Sequence, residues 1–329
     1  MTTWSPDELL THEEWLAGIW RHHLHRGANP VADFFAQGGT AASAVAMLSE
    51  ITEHFGSAVT LEEFRRDSSL QGLVRRLGGS QVGEELVTLR STGSRPPLYL
   101  VAGAGGVALQ FCALTRSLGP DQPLMVFQGR SMVTRHAPEY SLKSYGRRIA
   151  REINRLQPTG PLILGGHSLG GLAVLHTAHE LRRRGREIVL VVTLDCFPGP
   201  HMLPRATRVT SQAAQRHVKR PELSVLVQMA LAGWWRFPTP IQCQLHFRIG
   251  VARWMWARPA PPWEGHTTVI ASQWEADYVA QTWPYLAPRH LDIVGVPGTH
   301  TSMLSVEHVE ATADAVRTSI ERVLDISPD

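Results

Sequence analysis

At 329 residues, 43% apolar and 19% charged, the chain has the size and composition of two globular domains, and no apolar run is long enough to cross a bilayer. A basic n-region and an apolar h-region are both missing at the N-terminus. Cys112, Cys196 and Cys243 are widely spaced and odd in number, which fits reduced thiols better than a disulfide frame or a metal site, so a cytoplasmic protein with no metal is expected. The net charge of +3 divides into an acidic first 80 residues, with six arginines against ten carboxylates, and a basic remainder whose arginines are too scattered for a nucleic-acid surface.

Ser5-Pro6-Asp7-Glu8 has the capping residue, N1 proline and acids of a helix start, and Leu9, Trp15, Leu16, Ile19, Trp20 and Leu24 follow at helical spacing. Further helices are predicted at about 41–54, 61–64 and 68–77, making a small four-helix bundle. His22-His23-x-His25 lacks a partner at ligand spacing and reads as a solvated helix end. The stretch Asp33-Phe34-Phe35-Ala36-Gln37-Gly38-Gly39 resembles the D-F-F-x-x-G-G-x-S motif of the peptidyl carrier domains of nonribosomal peptide synthetases, and the likeness covers residues 6–78. The resemblance implies 4′-phosphopantetheine on the motif serine, but that position is Ala41. Thr40 and Ser43 would turn to other faces of the helix. The arm is therefore expected to be absent from this chain. The intact motif favours an introduced Ser→Ala change over a naturally inert carrier, and both stay open.

Gly78-Gly-Ser-Gln-Val-Gly-Glu-Glu85 is small and polar, so a linker is placed at 79–94 and a second domain at 95–329. Strands are predicted at 98–102, 124–128, 162–165, 188–195, 267–272 and 291–296. Helices are expected at 107–118, 141–156, 169–184 and 306–324. This alternation implies a mainly parallel sheet covered on both faces, and the serine turn described next makes it an α/β-hydrolase fold.

Pro161-Leu-Ile-Leu-Gly-Gly-His-Ser-Leu-Gly-Gly171 places G-x-S-x-G between a strand and a helix, the setting that raises a serine hydroxyl at the sheet edge. In chain order its acid and base should follow it. Asp195 ends an apolar strand at the carboxyl edge, with Asp277 and Asp292 as alternatives. His300 lies in the loop after the last strand. Oxyanion donors are expected from the N–H of Leu169 and from Ala104 or Gly105 in the glycine-rich loop after the first strand. A phosphate-binding G-x-G-x-x-G is absent there. These stretches together resemble the thioesterase domains that terminate nonribosomal peptide and polyketide assembly lines, over about 95–325. The resemblance assigns Ser168, Asp195 and His300 as nucleophile, orienting acid and base.

Between Phe197 and His266 the chain is rich in proline and holds Trp234, Trp235, Trp254, Trp256 and Trp263, half of its ten tryptophans. By the same resemblance, about 198–266 forms a helical lid, with most of these tryptophans packing it onto the body. The whole reads as a carrier followed by a chain-releasing thioesterase. Its partners would be upstream condensation and adenylation domains, and its substrate a tethered peptidyl thioester released by hydrolysis or macrocyclisation. A stand-alone acyl hydrolase with a helical docking module, and a non-enzymatic interaction protein on a hydrolase fold, are the competing readings.

Overall fold

In the computed structural model, which describes residues 5–25, 29, 32–56, 58–77, 84–130, 139, 141–199, 201–204, 239–273 and 276–326, four helices come first. They are α1 (Pro6–Leu24), α2 (Ala41–Phe55), α3 (Leu61–Arg66) and α4 (Leu70–Leu77). Trp20, Phe34 and Phe64 bury their rings edge to face at the centre of the bundle, 5.0–6.2 Å between centroids. This accounts for the Asp-Phe-Phe stretch. Phe34 is the core aromatic, while Asp33 accepts hydrogen bonds from the Ala36 N–H at 2.8 Å and from the Ser68 hydroxyl, pinning the loop to the start of α4. His23 Nε2 meets Glu50 Oε1 of α2 at 2.9 Å.

The rest of the chain builds one seven-stranded sheet. Its strands are β1 (Leu86–Arg90), β2 (Leu98–Val101), β3 (Leu124–Phe127), β4 (Leu162–His167), β5 (Ile188–Leu194), β6 (Thr267–Ser272) and β7 (Leu291–Val296). They lie in the order β1-β3-β2-β4-β5-β6-β7, with β1 antiparallel to β3 and every other pair parallel. Side chains alternate between two cores, as a strand's period of two requires. Leu98, Leu100, Ile163, Val192 and Ile270 join α5 (Cys112–Ser117) and the closing helix α10 (Val309–Ile326) on one face. Tyr99, Val101, Leu162, Leu164, Val191 and Val269 join α6 (Leu142–Leu156) and α7 (Leu169–Arg183) on the other. Burial on both sides explains why β4 and β6 are buried at every position.

Three features differ from the sequence expectation. Residues 86–90, assigned to the linker, form the edge strand β1, because the small polar composition stops at Glu85 and Leu-Val-Thr-Leu-Arg then alternates to bury Val87 and Leu89. The single helix expected at 107–118 is a 3-10 turn at Ala108–Phe111 followed by the short α5. A helix α9 (Ala276–Thr282) and a 3-10 turn at Trp283–Tyr285 precede β7, where no element was expected. Of the predicted lid, residues 239–256 form the helix α8 (Thr239–Trp256), while Trp234 and Trp235 lie outside the described residues.

The helical bundle is not separate from the sheet. α1 packs on β1 and α5 as well as on α2 and α4, and one apolar cluster runs through both parts. At that contact Glu13 is buried beside the Cys112 thiol, 3.9 Å from Arg116, which also approaches Glu14 at 3.6 Å. Burial pushes the Glu13 carboxyl up to about 7 in spite of the guanidinium.

Candidate active site

β4 delivers its last residue, His167, to the carboxyl edge of the sheet, and Ser168 follows at φ 54° and ψ −126°, a conformation that L-residues avoid. Glycines make the turn possible. A Cβ on Gly166 would lie 2.5 Å from the Gly171 nitrogen, and one on Gly170 would lie 2.8 Å from the Ala102 carbonyl oxygen. The serine is thereby lifted clear of the strand while α7 starts directly behind it.

Asp195 also has positive φ, at 46°, just past the end of β5. Its carboxylate is fully buried and takes three hydrogen bonds. The Ser272 N–H donates to Oδ1 at 2.7 Å, the Ser272 hydroxyl donates to Oδ2 at 3.0 Å, and His300 Nδ1–H donates to Oδ2 at 2.9 Å. Burial alone would raise this carboxyl, but the hydrogen bond and charge of His300, with both Ser272 donors, outweigh it and hold Asp195 below the usual carboxylate range. Because Nδ1 carries its proton toward the acid, His300 Nε2 presents a lone pair to the Ser168 hydroxyl, which donates to it at 3.0 Å.

The three carbonyls after Asp195 are tied down in turn. Trp283 Nε1–H donates to the Cys196 carbonyl at 2.8 Å, Trp254 Nε1–H to Phe197 at 2.9 Å and the Tyr278 hydroxyl to Pro198 at 2.9 Å. Trp254 belongs to α8, so one tryptophan of the predicted lid bonds directly to the segment that follows Asp195. The ring of Phe197 lies 5.4 Å from that of His300.

Leu169 opens α7, leaving its N–H without an intrahelical acceptor beside the serine. Ala104 and Gly105 occupy a turn closed by the Gly106 N–H on the Gly103 carbonyl at 3.1 Å, with Gly105 at φ 69°. This turn abuts Ser168, since a Cβ on Gly103 would lie 3.1 Å from Ser168 Cβ. α8 covers it from above: a Cβ on Gly250 would overlap Ala104 Cβ and lie 3.2 Å from Leu169 Cδ2.

The structure therefore brings Ser168, Asp195, His300, Leu169 and the 104–105 turn together. Asp277 and Asp292 stand elsewhere. Asp277 is exposed in the first turn of α9, and Asp292 pairs with Arg322 at 2.6 Å. Ala41 is exposed at the first position of α2 in the other part of the molecule. Sequence reasoning missed Ser272, His167 and Phe197. For Ser272 a signal existed, because it ends the apolar run of β6 at the same sheet edge as Asp195.

Residues 96–320 match the family model described as "Thioesterase domain", and residues 14–77 match "Phosphopantetheine attachment site". The dimodular nonribosomal peptide synthase of Bacillus subtilis (strain 168) is 34% identical over 196 residues, which is 58% of this chain and 8% of that protein. The chain thus spans a small fraction of its relative's length. Among solved structures, a four-domain nonribosomal peptide synthetase bound to AMP and glycine superposes with a TM-score of 0.58 at 21% identity, covering 96% of this chain and 26% of the other. The NocB thioesterase domain from the nocardicin cluster gives 0.56 at 23% identity, covering 72% and 99%. Taken with the helical bundle and the serine turn, these matches establish that the chain belongs to the thioesterase domain family and carries a phosphopantetheine attachment-site domain ahead of its α/β-hydrolase fold.

Proposed function

We propose that Ser168, His300 and Asp195 form a nucleophile–base–acid triad that takes an acyl or peptidyl chain from a thioester and releases it at the end of a nonribosomal peptide assembly line. The observation that carries this reading is the unbroken chain of hydrogen bonds from the Ser168 hydroxyl through His300 to the buried Asp195. His300 Nε2 takes the serine proton as Oγ bonds to the thioester carbon, and the carbonyl electrons move to oxygen, facing the Leu169 N–H and the 104–105 turn. The C–S bond then breaks, the leaving sulfur takes the proton from His300, and the acyl group remains as an ester on Ser168. Water, or a hydroxyl or amine of the bound chain, next gives its proton to His300 and attacks the ester. Serine leaves reprotonated, and the product is an acid, a lactone or a lactam. Donors preset where charge develops account for the largest share of such catalysis, about 3–4 kcal/mol for each one.

The carrier does not fit its arm. A phosphodiester needs a hydroxyl, and Ala41 has none. The neighbouring hydroxyls are committed elsewhere. Thr40 Oγ1 accepts from the Ser43 N–H at 3.1 Å, and Ser43 Oγ accepts from the Thr40 N–H at 2.9 Å, a reciprocal cap that fixes the start of α2. The thioester must therefore reach Ser168 from a donor other than this carrier as it stands. Upstream condensation and adenylation domains would build the chain on such donors. The acidic balance of residues 1–80 against the basic remainder supports docking between the two parts.

A fluorophosphonate probe tests the assignment. The wild-type chain should be labelled on Ser168 and S168A should not be; a folded wild-type chain left unlabelled sinks the enzymatic reading.

A further inference from the structure

His167 stands beside the nucleophile and is only 5% exposed, yet the acyl-transfer scheme leaves it idle. Its Nε2 lies 2.8 Å from the main-chain carbonyl oxygen of His300. A carbonyl can only accept, so Nε2 carries the proton and Nδ1 is bare. The two imidazoles lie 4.8 Å apart at 32°, and the Phe197 ring lies 5.4 Å from that of His300 at 33°. His300 is thus held at three points. Its ring has the His167 and Phe197 rings as neighbours, its Nδ1–H is tied to Asp195, and its carbonyl is tied to His167. The last tie joins the backbone of the loop after β7 directly to the residue before Ser168.

We propose that His167 is a positioning residue for the base: through its Nε2–H···O=C bond it locks the His300 loop so that His300 Nε2 stays aligned on the Ser168 hydroxyl. The role requires a neutral ring, since a second cation would oppose the imidazolium formed on His300 during acyl transfer. Burial, followed by the nearness of His300, pushes the His167 ring down to about 4, although the His300 carbonyl and Asp195 act the other way. His167 therefore remains a neutral donor throughout the range in which the base must work. The placement also has an economy: the residue next to the nucleophile supports the base, so the turn and the distant loop are set by one another.

The inference rests on the triad assignment, and labelling of the wild-type chain tests that separately. The variants are H167F, which keeps an aromatic ring and loses the donor, and H167Q, whose amide reaches the same carbonyl. With an N-acetylcysteamine acyl thioester, H167F should lower kcat about 10- to 100-fold at unchanged KM, the size of loss that small misplacement of a reacting group brings. H167Q should recover to within about fivefold of wild type. A folded H167F with wild-type kcat overturns the proposal, and so does an H167Q as slow as H167F. Should H167F fail to fold, the imidazole 15N resonances of the wild-type protein decide. A His167 ring protonated at Nε2 and unchanged from pH 5 to 9 is expected; protonation at Nδ1, or titration within that range, refutes the proposal. An unlabelled wild type condemns the triad, whereas a labelled wild type with an unimpaired H167F condemns only the role of His167.

Discussion

Replacing Asp195 by asparagine is the sharpest perturbation of the site, because the structure dictates which way the amide must face. The position now accepts at both oxygens, from the Ser272 N–H at 2.7 Å on one and from His300 Nδ1–H and the Ser272 hydroxyl on the other. Asparagine keeps one acceptor and gains an NH2. If the NH2 faced the Ser272 N–H, two donors would oppose each other in a fully buried site, at a cost of about 1–3 kcal/mol for the unsatisfied pair. The Ser272 hydroxyl can rotate to accept, and a backbone N–H cannot. The amide should therefore place its oxygen on the Ser272 N–H and its NH2 on His300 Nδ1. His300 then has to put its proton on Nε2, where it faces Ser168 as a donor and cannot take the serine proton.

The expected loss in kcat is about 10^4-fold, the size produced by trapping the same wrong tautomer in a serine protease. That corresponds to about 5.4 kcal/mol of barrier. Stability should change little, since every buried group except the rotated hydroxyl keeps a partner of the right kind. Thioester hydrolysis followed by thiol release, together with the rate of fluorophosphonate labelling, measures the first effect, and thermal unfolding the second. A D195N protein with the wild-type melting temperature and kcat within tenfold of wild type would refute the tautomer reasoning and return Asp195 to a merely structural part.

Three further outcomes follow from geometry elsewhere. In G250V the added carbons meet Ala104 and Leu169, so α8 should be wedged off the oxyanion turn; with a cyclisable substrate, chromatography should show the acid gaining on the ring product as water enters, and an unchanged ratio would contradict the close seat of α8. Glu13 has a folded-state pKa raised from 4.5 to about 7, so its burial costs nothing below about pH 4.5 and weakens the α1–α5 contact progressively as pH rises to about 7, by about 3 kcal/mol at the plateau; E13Q should melt higher than wild type at pH 8.5 and lose that pH dependence, and an E13Q less stable than wild type at that pH would show the charge to be favourable. With a phosphopantetheinyl transferase and coenzyme A, intact-mass measurement should show no gain for the chain as it stands and one addition to A41S; a modified wild type would mean that Thr40 or Ser43 escapes the cap.

The architecture was legible because its signals are local. Short apolar runs such as Ile188–Leu194 and Leu162–Leu164, bounded by turn residues, read as strands buried on both faces, and G-x-S-x-G fixes the strand–turn–helix around Ser168. Chain order then pointed to Asp195 and His300, which the fold brings to hydrogen-bond distance across 105 residues. β1 was hidden because its alternation runs for only five residues directly after a polar stretch, and pairing with β3 is what makes it a strand. Ser272 and His167 were missed for a different reason. Ending β6 at the sheet edge that carries Asp195, or ending β4, marks a position and names no role, and each residue acquires its role only through a partner far along the chain, Asp195 in one case and the His300 carbonyl in the other.

Those two residues bear on how strain is maintained at the site. Ser168 and Asp195 both hold positive φ without being glycine, and such conformations cost about 1–3 kcal/mol each unless the surroundings over-determine them. At Ser168 the over-determination comes from packing, since the backbone at Gly166 and Gly170 lies too close to Gly171 and to the Ala102 carbonyl to admit a Cβ. At Asp195 it comes from hydrogen bonds. Ser272 grips the carboxylate, and Trp283, Trp254 and Tyr278 hold the next three carbonyls. One of those three donors, Trp254, sits on the lid helix, so displacing α8 would release a tie on the acid's own strand end as well as uncover the oxyanion turn. The Phe197 carbonyl is thus the point through which a shift of α8 would reach Asp195. A W254F protein, which keeps the ring packing and loses only the N–H, should then show slower labelling of Ser168 even by a small fluorophosphonate that needs no lid contact. Labelling at the wild-type rate would confine Trp254 to anchoring the lid.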